Sequence, residues 1–180
     1  MKLFTGEMKM EGISYGMNRQ SKAIVKKLAG IILLLYLVII LWLLFIHDRP
    51  IRKLIFPYLD YIKQNIQLIP FHTISEMFRL VFNKEASINA RVLGGINVIG
   101  NILIMFPAGI LVPIAFEKCR EFKGYFCMIT SCIVCIELLQ LLTVSGVFDI
   151  DDIILNVFGS VFGFTVYALS KKMLCKKVEV

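Results

Sequence analysis

Charge is scarce in this chain. Only 18% of its 180 residues are Asp, Glu, Lys or Arg, against roughly a quarter in soluble domains. Hydrophobic residues make up 58% and the mean hydropathy is +0.77. So little polar surface cannot cover a water-soluble globule of this length, which excludes that class. The same apolar content excludes a disordered or collagen-like chain. Cysteine is missing from segments 47–95 and 144–152, so neither holds a disulfide framework. Cys132 and Cys135 form a C-x-x-C inside an apolar run with no second ligand pair, a pattern that reads as core packing rather than a metal or redox site.

The apolar residues are concentrated in four runs. Leu28–Ile46, Ile96–Phe116 and Ile153–Leu169 carry no charge, and Gly124–Thr143 carries only Glu137. About 20 apolar residues cross a hydrocarbon core of roughly 30 Å, and backbone in lipid must satisfy itself, which favours helices. The expected fold is therefore all-α: a polytopic membrane helical bundle of four transmembrane helices. The first run is too long for a signal peptide and lacks a small-residue cleavage site, so it reads as an uncleaved anchor.

Basic residues set the direction. With the N-terminus inside, segments 1–27, 117–123 and 170–180 hold 6, 3 and 4 Lys or Arg, while 47–95 and 144–152 hold 7 and 0. Positive-inside then predicts that both termini are cytoplasmic, and Trp42 falls where an interfacial aromatic belongs. The net charge of +7 is largely juxtamembrane, the mark of topology and anionic lipid contact rather than of nucleic acid. The organisation that follows is a basic segment 1–27, an anchor 28–46, an extracytoplasmic loop 47–95, a three-helix core 96–169 and a basic tail 170–180.

The long loop has its own pattern. Thr73-Ile74-Ser75-Glu76 reads as a capping box, and Ile74, Met77, Phe78, Val81 and Phe82 follow at helical spacing. This predicts a short amphipathic interfacial helix with one apolar stripe. Ile51, Leu54, Ile55 and Tyr58 make a weaker stripe interrupted by Pro57, and Gly94-Gly95 offers a turn into the second span.

Polar residues inside the runs carry the functional signal. A carboxylate at mid-bilayer costs roughly 2.5–3.5 kcal/mol on insertion scales, so such residues face a bundle interior or cavity. At about 1.5 Å of rise per residue, Asn101 lies about 8 Å, Glu137 about 9 Å and Asn156 about 5 Å below the outer boundary. Gln140 shares the face of Glu137 at i+3, Asn97 lies close by, and Asp149, Asp151 and Asp152 sit above the same level. The plainer account makes the amides interhelical glue and Asp151 and Asp152 caps of the fourth helix. Glu137 fits that account least, because a carboxyl walled in by amides suits proton transfer. Pro107 predicts a kink or unwound turn near Met105–Gly109, repeated at Pro113, and Gly159-x-x-x-Gly163 predicts close approach of another helix.

Taken together, Leu68-Ile69-Pro70-Phe71-His72-Thr73-Ile74, the run Asn101 to Phe106-Pro107-Ala108-Gly109, then Glu137-Leu138-Leu139-Gln140, and Phe148-Asp149-Ile150-Asp151-Asp152 through Asn156 to Gly159 resemble the VanZ-like family. The resemblance spans about residues 65–170 and makes 96–169 the VanZ-like core. It implies a bacterial cell-membrane protein linked to glycopeptide resistance, teicoplanin in particular, and suggests action on membrane lipids or lipid-linked envelope precursors. Two positions depart from the family pattern: Gln67 stands where Asn is frequent, and Gly146-Val147 stand where many members carry Arg, whose role is either lost or passed to Arg79 or Arg91. Two functions are expected. In the first, an enzyme of the outer leaflet uses Glu137 as general acid or base, with Asp149 and Asp152 orienting water or substrate and Asn101, Gln140, Asp151 and Asn156 in support. A divalent cation at Asp149, Asp151 and Asp152 would offset the repulsion between carboxylates and phosphate. In the second, a non-catalytic protein binds a lipid-anchored antibiotic, a precursor or a partner membrane protein.

Overall fold

The computed structural model describes residues 19–46 and 57–176. The weaker stripe at Ile51, Leu54 and Ile55 and most of the basic N-terminal segment lie outside them. Four helices are long and apolar enough to cross a membrane: α1 (Arg19–Phe45), α4 (Ile88–Ala115), α5 (Phe122–Leu142) and α6 (Ile150–Lys176). Each contains most of one predicted apolar run. All four also begin before their runs, because flanking residues continue the helix past the apolar length. Short elements fill the segment between α1 and α4: α2 (Tyr58–Gln64), β1 (Ile66–Gln67) and α3 (His72–Phe82). A two-residue strand β2 (Phe148–Asp149) precedes α6. The molecule is an all-α membrane bundle, and its outward side chains agree with that. On α1, Leu34 and Leu35 are about three-fifths exposed, a face only lipid would cover.

The centre of the bundle is the α4–α6 pair. A Cβ at Gly159 would strike the Ile102 backbone carbonyl, one at Gly163 the Phe106 carbonyl, and one at Gly109 the Ser160 carbonyl. The predicted small-residue motif therefore admits α4, with Gly109 as its complement. No unwound turn opens at Pro107 or Pro113, and α4 is helical through both. The helix is braced on two sides there, by the glycine face of α6 and by the Tyr36 hydroxyl of α1, which donates to the Ile104 carbonyl. Below this level Tyr125 is wholly buried, stacks on Phe164 at 4.7 Å and donates to the Ser160 carbonyl at 3.1 Å.

Several local expectations are corrected. Cys132 and Cys135 are exposed on α5, facing outward rather than into the core. Gly94 and Gly95 do not turn the chain. Helix α4 already begins at Ile88, capped by Ser87, whose Oγ accepts from the Ala90 N–H at 3.2 Å. Gly94 instead sits under α3, where a Cβ would come 3.4 Å from Leu80 Cδ2 and 3.5 Å from the Met77 carbonyl. The apolar stripe of α3 divides: Ile74, Met77 and Val81 are half-buried, while Phe78 and Phe82 stack on each other at 6.3 Å and stay exposed. Pro57 opens α2 as its N-cap rather than interrupting a helix, in keeping with its fixed φ and missing N–H.

Candidate functional site

The site lies at the end of the bundle where α1 finishes and α6 starts. β1 and β2 pair in parallel there, with Ile66 opposite Phe148 and Gln67 opposite Asp149, and the Phe148 N–H donates to the Asn65 carbonyl at 2.9 Å. Tyr61 and Tyr58 of α2 donate to the carbonyls of Gly146 and Leu142, both at 2.8 Å. These ties bring the chain between α1 and α4 down onto the α5–α6 connection.

The three aspartates then divide their work. Asp149, just before α6, accepts the Asp151 N–H on Oδ1 at 2.8 Å and the Thr73 hydroxyl on Oδ2 at 2.6 Å. The first bond is an N-cap for α6. Asp151, wholly buried, caps a different helix: its Oδ1 accepts the Phe71 N–H at 2.6 Å and its Oδ2 the Ile74 N–H at 3.0 Å. The predicted capping box at Thr73 is thus not formed locally. Helix α3 starts two residues earlier, with Phe71 left-handed at its N-cap (φ 63°) and no side-chain cap of its own. Its free N–H groups are satisfied by a carboxylate from α6, leaving Thr73 to reach Asp149. Glu76 Oε1 lies 3.7 Å from His72 Nε2. Asp152 alone keeps an uncommitted oxygen; its Oδ1 accepts from Asn101 Nδ2 at 2.5 Å.

These residues wall a cavity of about 470 Å³. Glu137 and Gln140 come from α5, Asn101 from α4, Asn156 and Asp152 from α6, and Asp149 from β2. Glu137 is only 4% exposed. Its carboxyl lies beside the Asp149 backbone and near the carboxylates of Asp152 and Asp149. Asn97 donates no charge but accepts from Asn101 Nδ2 at 3.3 Å. Of the residues singled out from sequence, six line the cavity and Asp151 does not. It caps the start of α3 instead. Gln67, His72, Thr73 and Glu76 line the cavity as well, with Gln67 Nε2 and His72 Nδ1 2.8 Å apart. Sequence reasoning left these four without a site role. The one signal for His72 and Thr73 was their place in the family-like run Leu68–Ile74, which Gln67 and Glu76 flank.

The expected cation does not fit the expected ligands. Asp149, Asp151 and Asp152 turn to different partners, and among the described residues no group of three His, Cys, Asp or Glu is placed to hold a metal ion. Nor does a displaced arginine arrive. Gly146 and Val147 themselves line the cavity, Arg79 is exposed, and Arg91 donates from Nε to the Val81 carbonyl at 2.8 Å, joining α4 to the end of α3. Among the described residues lining the cavity there is no Lys or Arg.

A family model described as VanZ/LLP1 matches residues 33–171, a stretch that contains every cavity residue named above. No curated protein and no solved structure matches the chain.

Proposed function

From the premise that this chain belongs to the VanZ/LLP1 family, we propose that it is an enzyme of the bacterial cell membrane that works at the outer leaflet on lipid head groups or lipid-linked envelope precursors. The link to glycopeptide resistance of the teicoplanin type belongs to the same proposal. So does the topology with both termini cytoplasmic, which rests on the distribution of basic residues. The observation that carries the reading is the convergence of Glu137 and Asp152, from two helices, on one partly open polar cavity at the end of an apolar bundle. A general acid–base group needs a fixed position within reach of a bound substrate and partial exclusion of water. Glu137 has both, packed beside the Asp149 backbone on the cavity wall and nearly removed from solvent. Asp152, oriented by Asn101, is placed to position water or substrate with its second oxygen. Asp149 and Asp151 act as positioning residues through the caps of α6 and α3.

A second reading draws on a different observation. Two of the three aspartates are spent on caps, which leaves a cavity built for recognition without a full set of reacting groups. The protein would then bind a head group, a lipid-anchored antibiotic or a partner membrane protein without chemistry. The two readings separate in a deletion strain complemented with Glu137→Gln, which keeps hydrogen bonding and removes the titrating group. If the enzyme reading holds, envelope lipid profiles and teicoplanin susceptibility match those of the deletion at normal protein levels. Wild-type behaviour of Glu137→Gln, together with loss of resistance in Phe78→Asp, overturns the enzyme reading in favour of binding.

A further inference from the structure

We propose that the group admitted to this cavity carries an ammonium with N–H donors, and that Asn156 Oδ1, Asp152 and Glu137 receive it. The inference rests on the reading of the cavity as a head-group site and names the chemistry of what enters.

Asn156 supplies the first observation. Its side chain is more than nine-tenths buried on the cavity wall, and its Oδ1 has no hydrogen-bond partner among the described residues. A buried acceptor left unmade is costly, and an N–H donor on a bound ligand satisfies it. Charge supplies the second. Glu76, Glu137, Asp149 and Asp152 face one volume with no Lys or Arg among the described lining residues, and carboxyls withdrawn from water are balanced by a cation or by protons. An ammonium supplies both positive charge and the N–H that Asn156 lacks, whereas an anion adds to the negative charge.

Size and wall composition narrow the cation. The volume, about 470 Å³, lies within the range of small-molecule sites and exceeds what a bare ion fills. A quaternary ammonium lacks N–H and is ordinarily held by an aromatic cage, yet no Phe, Tyr or Trp is among the described lining residues. A primary ammonium fits instead: one N–H to Asn156 Oδ1, one to the uncommitted oxygen of Asp152, one to Glu137. A phosphate attached to it stays toward His72 and Gln67, whose paired side chains are exposed.

The test uses the full chain, purified in mild detergent and stripped of lipid. It is then offered phosphatidylethanolamine, phosphatidylcholine or phosphatidylglycerol, and in a separate arm soluble phosphoethanolamine. Retained ligand is read by native mass spectrometry. We expect phosphatidylethanolamine to be retained at least ~10-fold over the other two lipids, and that preference to fall about tenfold in Asn156→Leu and in Asp152→Asn, the equivalent of about 1.4 kcal/mol. Asn156→Asp, which adds charge without changing size, keeps or raises the preference and guards against a folding defect in Asn156→Leu. Phosphatidylglycerol retained as well as phosphatidylethanolamine, and lost in Glu137→Gln, overturns the ammonium while sparing the cavity as a head-group site. Retention of soluble phosphoethanolamine without lipid selectivity overturns the lipid as the source and keeps the ammonium. Lipid binding indifferent to all these substitutions at unchanged melting temperature overturns both the ammonium and the head-group site.

Discussion

The Asp151 carboxylate, at the start of the last helix, accepts the backbone N–H of Phe71, at the N-cap of a helix some eighty residues earlier, at 2.6 Å. Its other oxygen takes the Ile74 N–H at 3.0 Å, so one buried side chain closes the N-terminus of α3 and fastens it over the cavity. Removing it strands two donors, each costing about 1–3 kcal/mol. Asp151→Ala is therefore expected to lower stability in detergent by about 3 kcal/mol. Asp151→Asn, which keeps one acceptor, is expected to cost about half that. Hydrogen exchange localises the effect: amides of 71–82 should lose protection first, while α4 and α6 keep theirs. Uniform loss across the bundle would show that Asp151 supports the fold as a whole and not α3 in particular.

The α4–α6 crossing yields a paired test on glycines. Ala has the higher helix propensity by about 1 kcal/mol, so Gly→Ala is favourable wherever a methyl fits. At Gly100 nothing lies within 4 Å of the added Cβ, and Gly100→Ala is expected to be neutral or stabilising by a few tenths of a kcal/mol to ~1 kcal/mol. At Gly159 the Cβ meets the Ile102 carbonyl, which is backbone and cannot rotate away. Overpacking of this kind costs about 1–3 kcal/mol, and Gly159→Ala is expected to lower the melting temperature. Equal behaviour of the two variants in a thermal melt would mean that the helices cross farther apart than the structure has them.

The bundle was readable because lipid imposes a length: an uncharged run near twenty residues has few alternatives to a spanning helix. The convergence of the site was readable too, since a fixed rise per residue brings Asn101, Glu137 and Asn156 to one level along neighbouring helices, and all three line the cavity. Contacts between distant segments were not. The spacing Asp149-x-Asp151-Asp152 shows three carboxylates in a row and says nothing of which N–H groups they accept. In the structure two of them are caps, one for α6 and one for α3. The Thr73–Glu76 pattern looked like a local box because the competing cap came from far along the chain. Gln67 reached the cavity through the two-residue β1–β2 pairing and His72 through the Asp151 cap of α3, and neither leaves a periodic signal.

At the opposite end of α1 the pH response has a definite sign. Lys26 Nζ lies 3.0 Å from Glu117 Oε1. The hydrogen bond and charge of Lys26, with Arg120 adding to them, hold the Glu117 carboxyl below the usual carboxylate range. A depressed carboxyl contributes stability above its unfolded value, about 4.3, and loses it as pH falls through the folded value. The pair is exposed and screened, so the contribution is small. Wild type and Lys26→Gln should differ slightly in melting temperature at pH 7, converge below about pH 4, and converge at neutral pH in high salt. A gap that survives at acidic pH would trace to the Lys26 stem against its neighbours rather than to the ion pair.

Helix α5 ends in a left-handed residue, and that residue is Val144, with φ 59°. The Ser145 N–H reaches the Gln140 carbonyl at 2.9 Å and the Val144 N–H the Leu141 carbonyl at 3.2 Å, the two bonds of a Schellman ending. Glycine is the usual occupant, since a β-branched side chain in this region costs about 1–2 kcal/mol. Val144→Gly relieves that strain and adds freedom to the unfolded chain worth about 0.5–1 kcal/mol, leaving a net gain of up to about 1 kcal/mol. For a chain of this size that is about 2–4 °C in melting temperature. The turn also sets Gly146 against Gln140, where a Cβ would come within 3.2 Å of the Gln140 Cβ, so the strained residue sits one turn from the cavity wall. Strain kept beside a site often serves it. If Val144→Gly raises the melting temperature and leaves the proposed head-group binding intact, the valine is a tolerated defect. If stability rises while that binding falls, the turn is what aims Gln140 into the cavity.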